Sequence, residues 1–180
     1  MRLAYLDEVG FSPSLPVTWT WYLPGRRKLI PYENPQNRRV NTLAALVCDP
    51  AETSLWWGSA PRSLTSDDLL LVLRSLPHGD LPLVVVLDNA SIHTSAAIQH
   101  ARAALEEEGI YLFYLPPYSS TKLNAIEPHF GALKYYDLPE RTYSSLRDLF
   151  FAVEDAFARA DARLLAQSHA ETRQHLRPTA

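Results

Sequence analysis

The chain has 180 residues, an apolar share of 47% and a formal net charge of −3 at pH 7, which fits one domain with a sizeable core. It contains no run of 18 apolar residues that would predict a membrane span, and its single cysteine, Cys48, excludes an internal disulfide and a cysteine-based zinc cluster. Acidic residues at positions 7 and 8 are wrong for a signal peptide. The composition therefore favours a cytoplasmic protein with no membrane association.

The first sixty residues are typical of β-strands joined by turns. Loose alternation in LAYLDEVGF (3–11) predicts a strand, and a second is expected at about 17–23, before the turn residues Pro24 and Gly25. Further strands are predicted in RRVNTLAALVCD (38–49) and TSLWWGSA (53–60). Together the four segments predict an antiparallel meander.

The pattern then changes to alternating helices and strands. Capped amphipathic segments predict helices at 65–76 and at 94–109, the second opened by Thr94 or Ser95 and closed by Gly109. Continuous apolar runs predict buried strands in LPLVVVLD (81–88) and IYLFYLPPYSS (110–120). Helical segments follow at 123–136 and 144–167.

This order predicts an α/β fold, a mixed five-stranded sheet flanked by helices in three layers. The ribonuclease H type has this order, and several other mixed-sheet folds share it. We expect one domain over residues 1–160 and a C-terminal helical tail over 161–180.

Three acidic residues stand out by their positions. Asp7 lies in the first strand, Asp88 ends a buried strand, and Glu127 lies in the helix after the last strand. Alternation places Asp7 on the same strand face as two apolar neighbours and Glu8 on the opposite face, so only one of the pair can share a site with Asp88. Asp88 has two explanations: it caps a following helix, or it projects into a crevice at the carboxyl end of the sheet.

Carboxylates that converge at strand ends repel one another, and a divalent metal ion is the simplest agent that makes the arrangement favourable. Oxygen-only ligands indicate Mg²⁺ or Mn²⁺ rather than zinc. The alternatives are a helix cap for Asp88, a solvated position for Glu127 and an arginine partner for Asp7.

Several motifs around these acids resemble the catalytic domain of mariner-like DDE transposases of the bacterial insertion sequence 630 type. The motifs are LDEVGF, LDNASIH, LPPYSSTKLNAIEPHFGALK and TWYLPGRRKLI, and the resemblance runs from about Leu3 to about Phe157. It implies a ribonuclease H-like fold and a triad of Asp7, Asp88 and Glu127. That triad would bind two Mg²⁺ or Mn²⁺ ions, cut DNA at transposon ends and join the 3′-hydroxyl to target DNA.

The resemblance also implies residues that contact DNA. Asn89 and His93 match motif positions beside Asp88, where they would orient the loop or touch phosphate, and Lys134 follows Glu127 by two helical turns. Two local basic clusters are further candidates for phosphate contact, Arg26, Arg27 and Lys28 in the first and Arg38 and Arg39 in the second, and the alternative for both is a solvated loop.

The chain departs from the family pattern at three places. Ser120 and Ala125 replace two prolines of the third motif, and Pro128 directly follows Glu127, which is compatible with a helix only if Glu127 lies near its start. The N-terminal helix-turn-helix domains of full-length relatives are expected to be absent, so end recognition would need a separate helix-turn-helix polypeptide.

Three functions follow from this resemblance. The first is a metal-dependent strand-transfer domain that acts as a homodimer on the bacterial nucleoid. The second is a truncated, catalytically silent remnant or DNA-binding module, and the third is a nuclease that acts on RNA–DNA hybrids.

Overall fold

The computed structural model describes residues 1–15, 23–26, 29, 34, 36, 38–49, 52–79, 81–117, 119–138 and 142–175. Most of the strand predicted at 17–23 therefore lies outside the described residues, as do two of the basic candidates, Arg27 and Lys28.

Five strands form one mixed sheet in the order β3-β2-β1-β4-β5. Strand β1 (Arg2–Phe11) pairs antiparallel with β2 (Val40–Cys48), which pairs antiparallel with β3 (Thr53–Ala60). On its other side β1 pairs parallel with β4 (Leu83–Leu87), and β4 pairs parallel with β5 (Ile110–Tyr114). The predicted mixed five-stranded sheet is confirmed.

Helices α1 and α2 begin and end close to the predicted residues, whereas the segment predicted at 123–136 is divided and the last helix is longer than predicted. They are α1 (Ser66–Ser75), α2 (Ala96–Glu107), α3 (Ser120–Leu123), α4 (Glu127–Ala132) and α5 (Leu146–His175), and a π-helical turn (Leu133–Asp137) follows α4. Thr65 forms a capping box with Asp68 at the start of α1, and Ser95 caps α2. Gly109 has a φ of 84° after α2, as a residue that ends a helix requires. No helix of the described residues is both long and apolar enough to span a membrane.

The sheet separates two apolar cores. One core packs α1 and α2 against Leu6, Leu43 and Val85, and the other packs α4, the π-helical turn and α5 against Val9 and Phe11, among other residues. Helices thus cover both faces, which confirms the three-layer arrangement.

Strand β5 differs from the prediction that it is buried. It lies at the edge of the sheet, and its side chains alternate between buried and exposed, with Tyr111 44% and Phe113 56% exposed. Ile110 and Leu112 face the core of α1 and α2, whereas the exposed aromatic residues face the opposite side. A continuous apolar run does not reveal that only one of its faces is covered.

Helix α5 continues beyond the predicted segment and holds the outer strand β3. Its Asp161 Oδ1 accepts a hydrogen bond from the Leu55 backbone N–H at 2.7 Å, and its Ser168 Oγ accepts one from the Thr53 backbone N–H at 2.9 Å. The expected domain boundary after residue 160 therefore falls inside a helix that packs on the sheet.

We expect Phe157→Ala to lower the free energy of unfolding by about 3–5 kcal/mol, because the side chain is fully buried. Its ring stacks on Trp57 at 5.5 Å and meets Phe11 edge-on at 6.2 Å. Urea unfolding followed by circular dichroism measures the change. Phe151→Ala on the same helix is the matched control, since Phe151 is 57% exposed and should cost about 0.5 kcal/mol or less. Equal losses in the two variants would contradict this packing.

Candidate metal centre and nucleic-acid interface

The parallel pairing of β1 and β4 brings two carboxylates to the same edge of the sheet. Tyr5 of β1 is the register partner of Val86 of β4. Asp7 and Asp88 each lie two residues further along the chain, so they are at the same level, Asp7 within β1 and Asp88 directly after β4. The crevice explanation for Asp88 is the one that this register supports.

Asp7 is buried, with 8% of its surface exposed. Its Oδ1 accepts a hydrogen bond from the Glu8 backbone N–H at 2.8 Å, and its Oδ2 accepts one from Asn124 Nδ2 at 3.0 Å. Burial raises the pKa of Asp7 to about 7; the Glu8 N–H opposes the rise, and the charges of Asp88, Glu8 and Glu127 add to it. A buried carboxylate with like charges around it is a group that a cation would stabilise.

Asp88 is partly exposed and is held by the loop that follows it. Its Oδ1 accepts a hydrogen bond from the Ala90 backbone N–H at 2.9 Å and contacts His93 Nδ1 at 2.8 Å. The residue therefore caps a turn after β4, but the cap of α2 is Ser95. The explanation that Asp88 caps the following helix is therefore wrong, because the residue caps only the turn before it.

His93 has no exposed surface, which differs from the expectation that it touches phosphate. Nδ1 lies 2.8 Å from Asp88 Oδ1. Nε2 lies 2.9 Å from Glu8 Oε2, close enough for an ion pair, but the angles at these atoms do not meet the geometry of a hydrogen bond. Burial lowers the pKa of His93, but the contacts and charges of Glu8 and Asp88 outweigh burial and raise it. Since both ring nitrogens face carboxylates, the side chain is placed to hold Asp88.

Glu8 lies on the opposite face of β1 from Asp7, as alternation predicts, and it reaches Asp88 only through His93. Sequence reasoning discounted Glu8 and did not single out Asn124. The available sequence signal for Asn124 was its position as a polar residue in the same motif as Glu127. The structure shows that Asn124 is buried, with 2% of its surface exposed.

One ligand atom each from Asp7, Asp88 and His93 lies within 4.8 Å of the others, a spacing that can hold a metal ion. The carboxylate of Glu127 is not in that group, although its charge contributes to the raised pKa of Asp7. Two of the three predicted ligands are thus in direct proximity, and the third lies near them.

Glu127 is the first residue of α4, and its backbone N–H bonds to Asn124 O at 3.2 Å. Pro128 therefore occupies the first turn of the helix, where a backbone N–H has no intrahelical acceptor. The expectation that this proline requires a helix start at Glu127 is confirmed.

The donor set fits a hard divalent cation. The predicted ligands are carboxylates, and the charges of two of them raise the pKa of the third, which is buried. Asn124 Oδ1 is also buried and has no hydrogen-bond partner among the described residues. Cation binding would offset the repulsion between these groups.

Lys134 lies in the π-helical turn, so the predicted two-turn spacing from Glu127 does not follow a regular α-helix. Its Nζ is 5.8 Å from the centre of the Phe11 ring. Burial and the charge of Arg39 lower the pKa of Lys134, and the charge of Glu127 opposes them. Lys134 is therefore close enough to Arg39 and to Glu127 for their charges to act on it.

The remaining candidates for DNA contact are at the surface. Asn89 is exposed and donates from Nδ2 to Leu115 O at 2.6 Å, which ties the loop after β4 to the end of β5. Arg26 is exposed in a turn closed by its N–H bond to Leu23 O at 3.1 Å.

A ribonuclease H-like sheet with carboxylates at the same level on adjoining parallel strands is typical of a class of polynucleotide-cleaving domains. Residues 2–150 match the family model described as DDE superfamily endonuclease. The chain belongs to this family, whose nucleases use divalent metal ions. A search of curated proteins finds no match.

Solved structures of transposases share the fold. The chain is similar to the Mos1 transposase in a paired-end complex with the left transposon end (TM-score 0.62, 18% identity, 94% of this chain and 55% of that chain). It is also similar to the Mos1 mariner paired-end complex with Mg (TM-score 0.60, 15% identity, 94% and 52%). A chain of a simian T-cell lymphotropic virus intasome matches with a TM-score of 0.53, 20% identity and coverages of 86% and 46%. The chain spans about half the length of these proteins.

We expect the stability of the metal-free chain to fall as the pH rises from about 4 through about 7. The unfolded Asp7 loses its proton near the ordinary pKa of 3.8, whereas the folded one keeps it to about 7, so the folded state binds more protons in this window. Asp7→Asn should remove the part of that dependence that comes from Asp7 and be more stable at pH 8 by on the order of 3 kcal/mol. The Asn124 amide can turn to present Oδ1 to the new side chain.

Urea unfolding between pH 4 and pH 8 in a chelator measures this difference. Glu107→Gln serves as the control, because it removes a carboxylate at an exposed position on α2 that lacks the burial of Asp7. Parallel pH profiles for Asp7→Asn and the wild type would contradict the environment described for Asp7.

Proposed function

We propose that this chain is the catalytic domain of a transposase, which cleaves DNA at transposon ends and transfers the 3′-hydroxyl to target DNA. The observation that carries the proposal is the buried Asp7 at the same level as Asp88 on paired parallel strands. Membership of the DDE endonuclease family and the likeness of the fold to transposase complexes support it.

Asp7, Asp88 and Glu127 are the residues that would hold two Mg²⁺ or Mn²⁺ ions. Bound there, the ions supply activation of a water or a 3′-hydroxyl on one side of the phosphodiester and charge stabilisation of the leaving oxygen on the other. Asp7 and Asp88 would each contact an ion directly, and Glu127 would complete the second ion's ligands.

The neighbours of these carboxylates fix their orientation. Asn124 and the Glu8 N–H hold the two oxygens of Asp7, while the Ala90 N–H and His93 hold one oxygen of Asp88. Carboxylates that are already oriented lose little freedom when an ion binds, and ligand orientation by such neighbours tunes affinity. His93 is thus a positioning residue in this proposal.

Basic and polar side chains near the same edge of the sheet would bind the DNA. Lys134 and Asn89 flank the carboxylates, and Arg26 lies in a surface turn. Arg27 and Lys28, which lie outside the described residues, belong to the same proposal by sequence alone. The partners would be the transposon ends and the target duplex.

Since the chain spans about half of the Mos1 chains, recognition of specific ends would come from a helix-turn-helix segment or a separate polypeptide. The Mos1 transposase forms a paired-end complex with its transposon end, and we propose a homodimer for the active assembly of this chain as well.

A catalytically silent DNA-binding module is the second candidate. It is favoured by one observation, the position of Glu127 outside the group of ligand atoms that lie within 4.8 Å of one another. Metal-dependent cleavage separates the two candidates.

We expect Asp88→Asn to abolish Mn²⁺-dependent nicking of plasmid DNA and to remove the heat of Mn²⁺ binding in calorimetry. The asparagine Oδ1 can still accept from the Ala90 N–H, so the turn after β4 should keep its form. Loss of one negative ligand charge removes most of the attraction for a divalent ion.

Asp67→Asn makes the same chemical change in the first turn of α1, at an exposed position, and should leave both measurements unchanged. Nicking that persists in Asp88→Asn would refute the proposed function. Mn²⁺ binding without nicking in the wild type would favour the silent module.

We expect His93→Ala to weaken Mn²⁺ binding by about 10- to 100-fold, because it removes the ring that holds Asp88. Calorimetry on the folded protein measures the Mn²⁺ affinity. Thermal unfolding without metal measures separately how much stability is lost when the buried His93 side chain is removed. An unchanged Mn²⁺ affinity would show that His93 serves packing alone.

A further inference from the structure

A polar cleft of about 470 Å³ lies beside the carboxylates, on the face of the sheet that carries α1 and α2. Its walls come from the carboxyl end of β1, the start of β2 and the loops before α1 and after β4. One wall is Glu8, whose carboxylate faces His93, and His93 contacts Asp88. The cleft is therefore separated from the candidate metal centre by two side chains.

Arg39 is the cationic side chain of this cleft, and it lies directly on the backbone of Gly10. A Cβ atom at Gly10 would come 2.2 Å from an Arg39 guanidinium nitrogen and 2.8 Å from Cζ. Any larger residue would displace the guanidinium, since real Cβ contacts are not found below about 3 Å. The glycine thus provides the space in which Arg39 rests over β1.

The guanidinium of Arg39 is not neutralised by a carboxylate within 4 Å among the residues that the structure describes. Arg62, at the loop before α1, differs in this respect, because both of its terminal nitrogens bond to Asp68 at 2.7 Å. An exposed arginine with its donors available is suited to bind a phosphate oxygen.

The other lining groups also suit a phosphodiester. Ser63 and Ser91 are exposed and carry hydroxyl donors, and Leu64 and Ile92 form an apolar floor that packs against the core beneath. Hydroxyls and an arginine are frequent contacts of the nucleic-acid backbone.

Lys134 lies on the opposite side of the same strand end. It is placed over Phe11, the residue after Gly10, and the charge of Arg39 is among the causes that lower the pKa of Lys134. Two cations therefore flank the end of the strand that carries Asp7, one on each face of the sheet.

We propose that this cleft binds a backbone phosphate of the DNA strand that passes the carboxylates, and that Arg39 is its ligand. The proposal rests on the function proposed above and adds a second phosphate position to it. A strand that crosses the end of β1 would have one phosphate at the carboxylates and another at Arg39.

The test measures binding of a fluorescent duplex oligonucleotide to the full chain by anisotropy, over a series of KCl concentrations. Every protein carries Asp88→Asn, which prevents cleavage during the titration. Arg39→Gln should weaken binding about tenfold and reduce the slope of log Kd against log salt by about 1, as loss of one phosphate contact does. Binding should weaken equally for unrelated sequences, because a phosphate carries no base information.

Arg62→Gln is the matched control. It makes the same change of charge at the edge of the cleft, but Arg62 is already paired with Asp68. It should change the affinity less than twofold. Gly10→Ala should reproduce the loss seen in Arg39→Gln without any change in charge, since the new methyl group displaces the guanidinium. Thermal unfolding establishes that each variant is folded.

The proposal would be overturned if Arg39→Gln and Arg62→Gln had the same affinity for DNA and the same salt slope. It would also be overturned if the protein that retains Arg39 and Arg62 did not bind DNA. The two proposals can fail separately. Arg39-dependent binding by a chain that never nicks DNA would leave the cleft assigned and refute the transposase function. Nicking by the wild type with Arg39-independent binding would do the reverse.

Discussion

The central position of β1 is the constraint on which the rest of the site depends. It pairs antiparallel with β2 and parallel with β4. Strand β1 runs past the end of β4, so Asp7 lies inside β1 at the level of Asp88, and the carboxyl end of β1 lies beside the start of β2. Asp7 and Asp88 can meet only under this pairing. The cost is that Asp7 is a buried carboxylate with a raised pKa, which the Asn124 side chain and the Glu8 backbone N–H hold in place. His93 holds its neighbour Asp88.

The two faces of β1 serve the site in different ways. On the face of α4 and α5, Asp7 accepts a hydrogen bond from Asn124, and the charge of Glu127, another candidate ligand, acts on it. On the face of α1 and α2, Glu8 meets His93 and borders the cleft of Arg39. Alternation along a single strand thus places the candidate cation ligand Asp7 and the cleft residue Glu8 on opposite faces of the sheet.

Much of this could be predicted from the sequence, because strand periodicity and helix caps are local. Asp7 and Asp88 were found from alternation and from a strand that ends on a carboxylate, and the proline after Glu127 correctly required a helix start. Three features could not be found in this way. The burial of His93, the single covered face of β5 and the π-helical turn around Lys134 depend on what packs against each segment, which no local pattern encodes.

The contacts between α5 and β3 also affect how open one edge of the sheet is to an added strand. The Thr53 and Leu55 N–H groups point away from β2, and side chains of α5 accept both of them. Unpaired backbone groups at a sheet edge are what an incoming strand needs to add to it. At β3 these two donors are already occupied, so this part of the edge is less open to strand exchange or fibril-like pairing between copies. At the opposite edge of the sheet, β5 carries the exposed Tyr111 and Phe113.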